Sequence, residues 1–153
     1  MPQIMTASWF AKLPANATSV GISRSAPRGR AGHHHLRELQ PGPWFKSVAP
    51  ERYLTLYGEI LARLDPAEVR DRLFGFGDTP ILLCWEKAYD CDAGKIWCHR
   101  HVAARWLEDS LGIEVQEVGF PRLDRFAYLR NHGIPAPSYR QHTRIAAREN
   151  RIR

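Results

Sequence analysis

Short apolar stretches bounded by turn residues predict four strands along the chain. Residues 3–8 are mixed in character and predict a first strand, and residues 19–23 alternate apolar and polar side chains as a half-buried strand does. Residues 80–85 form a continuous apolar run, which is typical of a strand buried in a parallel sheet. Residues 113–118 predict the last strand.

Two amphipathic helices are predicted between the second and third of these strands. Residues 50–64 carry apolar side chains at helical spacing, with a proline in the first turn. Asp65 then supplies an N-cap, Pro66 the first helical position and Glu68 a capping-box carboxylate. The second helix therefore extends to about Phe74, where two nearby glycines end it.

A third helix follows the apolar strand and completes an alternating order of elements. Residues 88–96 are polar and predict a loop, and residues 24–44 hold three glycines and three prolines, which predict a longer one. The apolar face of the third helix, closed by Gly112, consists of Val102, Ala103, Trp106, Leu107 and Leu111. Strands alternating with helices predict an α/β fold: a single domain with a small, mostly parallel sheet flanked by helices.

The charge distribution divides this domain from the C-terminal part of the chain. The net charge of the 153 residues is +6, yet residues 1–120 hold 14 Lys and Arg against 14 Asp and Glu. Residues 121–153 hold eight arginines against Asp124 and Glu149, which accounts for the whole excess. We therefore predict an α/β domain over 1–120 and a basic, partly flexible tail over 121–153. The tail is either a solvated segment or a contact for nucleic acid or polyphosphate.

The composition excludes some classes of protein. No apolar run approaches the eighteen or so residues of a membrane span, so no membrane partner is expected. The N-terminus lacks the basic and apolar regions of a signal peptide. Three cysteines, an odd number, argue against a disulfide framework and for a reducing compartment, and we predict a cytoplasmic protein.

An arginine-rich loop after the second strand is a candidate anion site. Residues 23–30 hold three arginines, two serines and a glycine, and open α/β sheets bind ligands where their strands end. Arg24 and Arg28 are the predicted ligand-binding residues of this loop. The alternative is a solvated basic loop. Aromatic side chains near these loops could stack on a base or simply pack: Trp44, Phe45, Trp85 and Trp97.

The tripeptide Cys98-His99-Arg100 is the strongest candidate for chemistry. A thiol at a helix start, beside an imidazole and a guanidinium, is expected to ionise more readily than a free thiol. We therefore predict Cys98 and His99 as catalytic residues, with Glu86 as a further catalytic candidate and Arg100 as an anion ligand. Cys84, at the end of the apolar strand, is interpreted as a buried structural residue.

Zinc binding is an alternative use of these residues. Cys84, Cys91, Cys98, His99 and His101 include the ligand types of a tetrahedral zinc site. Their spacing matches no paired Cys-x-x-Cys knuckle, so the sequence predicts no metal ligand and no cofactor.

These motifs together resemble the bacterial domain-of-unknown-function family 488. The resemblance covers roughly residues 3–118 and consists of a strand and basic loop over 20–28, Leu-Cys-x-Glu over 83–86, and Cys-His-Arg over 98–100. The chain departs from the family pattern where Gly21-Ile22-Ser23 replaces an acidic residue that many members carry before the arginine. The resemblance implies an α/β fold and a pocket, without a settled activity, and the shared positions are Arg24, Pro27, Arg28, Cys84, Glu86, Cys98, His99 and Arg100.

The motif loops follow strand ends and are therefore expected to converge on one pocket. The favoured hypothesis is an enzyme that acts on a phosphorylated or nucleotide-like small molecule. Its arginines would hold the anion, and Cys98 or Glu86 would carry the chemistry. One alternative is a non-catalytic module that binds nucleotides or, through the tail, nucleic acid. A second alternative is a zinc-stabilised interaction protein.

Overall fold

A five-stranded parallel sheet organises the protein. A computed structural model describes residues 2–140. The strands are β1 (Met5–Ser8), β2 (Thr18–Gly21), β3 (His34–His35), β4 (Pro80–Cys84) and β5 (Gln116–Glu117). They lie in the order β3-β2-β4-β1-β5, and every pair is parallel. The predicted α/β fold is confirmed.

Within residues 2–140 there are five α-helices and two 3-10 turns, and all of them except the last helix lie between strands. The helices are α1 (Pro50–Ala62), α2 (Pro66–Phe76), α3 (Ala88–Asp92), α4 (His99–Leu111) and α5 (Ala127–Asn131), and the 3-10 turns are Arg37–Leu39 and Pro43–Lys46. The Asp65 side chain caps α2 by accepting a hydrogen bond from the Ala67 N–H at 2.9 Å, as the sequence predicts. Helix α4 ends at Gly112, whose φ of 65° is the left-handed value that favours glycine at this position.

The two faces of the sheet are covered differently. Because side chains alternate along a strand, Leu82 of β4 faces one side while Ile81 and Leu83 face the other. Leu82 belongs to the large core that contains the apolar faces of α1, α2 and α4. Ile81 and Leu83 join a smaller cluster with Ala7 and Trp9, formed by strands and by the loop after β1.

Two predicted loops contain regular structure. The segment 24–44 includes β3 and a 3-10 turn, and the segment 88–96 includes α3. A two-residue strand is too short to show alternation, and a five-residue helix such as α3 is too short to show apolar side chains at helical spacing. Both elements depend on tertiary contacts: Val20 pairs with His34, and α3 packs against α5.

The domain extends past the boundary predicted at residue 120. Phe126, Leu129 and Ile134 are buried in the large core, so residues 126–134 pack with the domain rather than with a tail. The rest of the predicted tail, from 141 to 153, lies outside the described residues. Within the described part of the chain, no helix has the length and apolar character to cross a membrane.

Candidate functional site

The site lies where β2 and β4, neighbours in the sheet, both end. The Ile22 N–H donates to the Leu83 carbonyl at 3.1 Å, so the two chains leave the sheet side by side. Trp85, just after β4, then donates its indole N–H to the Ser25 carbonyl at 2.9 Å and ties the two loops together. This pairing confirms that the two motif loops meet at one edge of the sheet.

A cavity of about 660 Å³ opens between these loops, the segment before α1, and the start of α4. Its charged lining residues are Arg24, Lys46 and Glu86. Its aromatic lining residues are Phe45, Tyr53, Trp85 and Trp97. The volume lies within the range of small-molecule sites, and the mixture of apolar walls with a few charged groups is typical of them.

Thiol and imidazole groups meet at one end of the cavity. The Sγ atom of Cys84 lies 3.4 Å from Nδ1 of His99 and 3.3 Å from a carboxylate oxygen of Glu86. The other ring nitrogen of His99, Nε2, lies 2.8 Å from the Ile22 carbonyl oxygen. Since a carbonyl can only accept, Nε2 donates to Ile22, and Nδ1 is the nitrogen that faces Cys84.

Cys98 lies behind Cys84 and does not line the cavity. It is the N-cap residue of α4, and its Sγ accepts a hydrogen bond from Nη1 of Arg100 at 3.2 Å. Burial raises the pKa of this thiol, but the hydrogen bond from Cys84, the charge of Arg100 and the contact with His99 outweigh burial and hold the pKa well below its ordinary value. The expected thiolate character of Cys98 is therefore supported, in a position closed to solvent. We call Cys84, Cys98 and His99 the thiol corner.

Burial raises the pKa of three other ionisable groups in this region. Burial, together with its hydrogen bond to Cys98, holds the pKa of Cys84 well above the ordinary value. Burial also raises the pKa of Cys91 to about 12. For Glu86, burial and then the negative charge of Cys98 raise the carboxyl pKa to about 7.

A second polar group, the buried charge cluster, lies behind the thiol corner and consists of Thr6, Arg100, His101 and Glu117. Arg100 donates from Nε and Nη2 to the Glu117 carboxylate at 3.0 and 2.7 Å, and both side chains are almost fully buried. The Thr6 hydroxyl and His101 Nε2 approach the same carboxylate at 2.6 and 3.0 Å. Burial opposes ionisation of Glu117, but the bonds from His101 and Arg100 prevail and lower its pKa to about 2.

His101 enters this cluster as a neutral ring. Burial lowers its pKa, and the charge of Arg100 adds to that effect, against the bond to Glu117. Its Nδ1 has no hydrogen-bond partner among residues 2–140, so a proton there would be a buried, unsatisfied donor. Arg100 alone is therefore the counter-ion of Glu117.

The predicted site residues separate into two groups. Arg24, Glu86 and His99 line the cavity, together with Cys84, which the sequence indicates as structural. Arg28 is exposed and does not line the cavity, and Cys98 and Arg100 lie behind it. All three guanidinium nitrogens of Arg100 donate to protein atoms, two of them to Glu117, so its group is committed to the fold rather than directed at the cavity.

Sequence reasoning missed three important residues. Lys46 and Tyr53 line the cavity, and Glu117 is the partner of Arg100. Of the aromatic candidates, Phe45, Trp85 and Trp97 line the cavity, whereas Trp44 packs edge-on against Tyr53. A buried glutamate in a predicted strand is itself a signal of a buried cation, and it could have identified Glu117.

Comparison of the chain with family models, curated proteins and solved structures gives no match. The resemblance to domain-of-unknown-function family 488 therefore stays a prediction, which rests on the motif residues alone.

Proposed function

We propose that this protein is an enzyme that acts on a phosphorylated, nucleotide-like small molecule bound in the cavity. The supporting observation is the joint presence of Arg24 and Lys46 with four aromatic side chains around one space of about 660 Å³. Two cations suit a phosphate group, and flat rings suit a base or a similar aromatic moiety. The proposal replaces the predicted Arg28 and Arg100 contacts with a contact from Lys46.

The positively charged side of the cavity supports anion binding because its side chains make few hydrogen bonds to the rest of residues 2–140. Arg24 is exposed and donates from Nη1 to the Pro41 carbonyl at 3.1 Å. Among residues 2–140 this is the one hydrogen bond of the guanidinium, and it orients the group while leaving its other N–H groups to a ligand. Lys46 is exposed as well, at the end of the 3-10 turn that precedes α1. A phosphate would bind between these two side chains.

Glu86 is the proposed reacting group, and His99 lies beside it. Both line the cavity at the end occupied by the thiol corner. A carboxylate can take a proton from an attacking group or give one to a leaving group when it lies within hydrogen-bond reach. Glu86 is the proposed proton-transfer residue, and His99, whose ring nitrogens face Cys84 and the Ile22 carbonyl, forms the wall beside it. Cys98 supports this end of the cavity from behind.

A binding experiment tests the ligand class. A panel of nucleoside mono-, di- and triphosphates is titrated into the protein by calorimetry. Removing Arg24 or Lys46 is expected to weaken a bound nucleotide about tenfold, since a hydrogen bond to a charged group contributes about 1.5 kcal/mol. Arg28→Ala is the matched control, because it removes the same charge from the same loop outside the cavity. No binding of any nucleotide, or equal losses in Arg24→Ala and Arg28→Ala, would refute this ligand site.

A second experiment tests catalysis. Turnover of the tightest-binding nucleotide is followed by chromatography with the protein and with Glu86→Gln. We expect the variant to bind normally and to lose about 100-fold or more in rate, the usual contribution of a positioned acid or base. Glu114→Gln, the same substitution at an exposed position, is the control. Binding without turnover would instead favour the non-catalytic nucleotide-binding alternative.

A cytoplasmic location and a nucleic-acid partner are also part of the proposal. Cys84, Cys91 and Cys98 are all free thiols, which supports a reducing, cytoplasmic location. Nucleic-acid binding by the arginines after residue 140 stays a prediction, since those residues lie outside the described part of the chain.

A further inference from the structure

Three metal-ligating atoms converge at the thiol corner. The Sγ atoms of Cys84 and Cys98 and a ring nitrogen of His99 all lie within 4.8 Å of one another, and all three residues are buried. Cys84 is the last residue of β4, Cys98 is the N-cap residue of α4, and His99 is the first residue of that helix. Cys91 packs against both cysteines but is not part of this group.

The atoms at the corner face one another closely. Nε2 of His99 donates to the Ile22 carbonyl at 2.8 Å, so its Nδ1 is the nitrogen that faces the Sγ atom of Cys84, at 3.4 Å. A carboxylate oxygen of Glu86 lies 3.3 Å from the same Sγ atom. A cation held between the two Sγ atoms and Nδ1 would be bound by all three atoms at once.

We propose that Cys84, Cys98 and His99 bind a zinc ion whose fourth coordination position opens to the cavity beside Glu86. Two thiolates and one imidazole are ligands that zinc prefers. In a tetrahedral zinc site a sulfur and a nitrogen ligand lie about 3.5 Å apart, and Cys84 Sγ and His99 Nδ1 are separated by 3.4 Å. Two thiolates also neutralise the charge of the ion, which a buried site requires.

The surroundings of the three ligands resemble the outer shell of a metal site. A ligating histidine usually donates its other N–H to a carbonyl or carboxylate, and His99 donates to the Ile22 carbonyl. Arg100 donates to the Sγ of Cys98 at 3.2 Å, a bond that a metal-bound thiolate can accept without losing its place in the site. Both partners are fixed by the fold before any ion is present.

The open fourth position follows from which ligands reach the cavity. Cys84, His99 and Glu86 line it, whereas Cys98 lies behind. Zinc sites with three protein ligands and one free position hold a water or a substrate atom there. This inference goes beyond the proposed ligand class, because zinc binding does not require that the cavity accept a nucleotide.

Metal binding is measured first on the intact protein. The purified full chain is stripped with a chelator under reducing conditions and titrated with Zn²⁺, and separately with Co²⁺ as a spectroscopic probe. We expect one ion per chain, with thiolate-to-cobalt charge-transfer bands and the intense visible bands of tetrahedral Co²⁺. X-ray absorption of the zinc form should give two sulfur and two lighter ligands. No stoichiometric binding, or a count of three sulfurs or none, would overturn the proposal.

Variants identify the ligands, with Cys91→Ser as the matched control. Cys84→Ser, Cys98→Ser and His99→Gln should each weaken zinc binding at least 100-fold, while Cys91→Ser keeps the cobalt spectrum unchanged. Equal loss in Cys91→Ser overturns the assignment. If a ligand variant does not fold, the sulfur count of the unmodified protein still decides the question.

The open position is tested by azide or imidazole added to the cobalt form. A shift of the visible bands is expected, and Glu86→Gln should leave metal stoichiometry unchanged. No shift would overturn the open-site assignment.

Discussion

The buried charge cluster and the cavity use similar side chains for different purposes. In the cluster, Arg100 meets the Glu117 carboxylate with two nitrogens, and both side chains are out of contact with water. In the cavity, Arg24 is exposed and gives one bond to a carbonyl. A charge whose partners are all supplied by the protein stabilises the fold, and one with free N–H groups is available to a ligand.

Removing Glu117 should cause the largest loss of unfolding free energy. Glu117→Ala leaves the Arg100 guanidinium buried without a counter-ion, and breaking one partner of a buried pair costs about 3–5 kcal/mol of unfolding free energy. Urea denaturation followed by circular dichroism measures the loss. Glu114→Ala, on the exposed side of the same segment, should change the unfolding free energy by less than about 0.5 kcal/mol. A loss for Glu117→Ala as small as that of the control would mean that Arg100 is not held by this pair.

Prediction from the sequence succeeds where a structure follows from local patterns, and it fails where the structure depends on pairing between distant residues. The strands around Val20 and Leu82 and the helices α1, α2 and α4 follow from apolar spacing and capping, which are local properties. The convergence of the loops follows from the rule that ligands bind at strand ends.

Long-range pairing is what the sequence does not reveal. Arg100 and Glu117 are 17 residues apart, and no local pattern shows that the guanidinium turns inward to the carboxylate and away from the cavity. The sequence indicates a structural Cys84, because this residue ends an apolar strand. Its contact with His99 depends on how α4 packs against β4, which only the fold determines.

Acidification should weaken the buried charge cluster specifically. The Glu117 pKa is lowered from 4.5 to about 2 in the folded protein, which corresponds to on the order of 3 kcal/mol of stability. The contribution is fully present above the unfolded pKa of 4.5 and is lost as the pH falls from there toward about 2. Urea unfolding measured at several pH values across this window tests it. Glu117→Gln should flatten the pH dependence, and an unchanged profile in that variant would contradict the assignment.

The Thr6 hydroxyl should make a smaller contribution to the same cluster. It donates to the Glu117 carboxylate at 2.6 Å in a buried position. Thr6→Val keeps the shape of the side chain and removes the donor, so we expect a loss of about 2 kcal/mol. Thr6→Ser keeps the hydroxyl and should retain most of this hydrogen-bond energy. The two variants are compared by thermal and urea unfolding, and the reverse order of stability would show that packing of the methyl group dominates.

Replacing Arg24 should have the smallest effect on stability, in contrast to replacing Glu117. Arg24→Ala removes an exposed guanidinium whose one hydrogen bond among residues 2–140 goes to the carbonyl of Pro41, a residue that lines the cavity. We expect the unfolding free energy to change by less than about 0.5 kcal/mol. The same variant is expected to weaken nucleotide binding about tenfold, whereas Glu117→Ala acts on stability. A large loss of stability in Arg24→Ala would place this arginine with the structural charges and leave Lys46 as the only cation of the cavity lining, within residues 2–140, that is available to a phosphate.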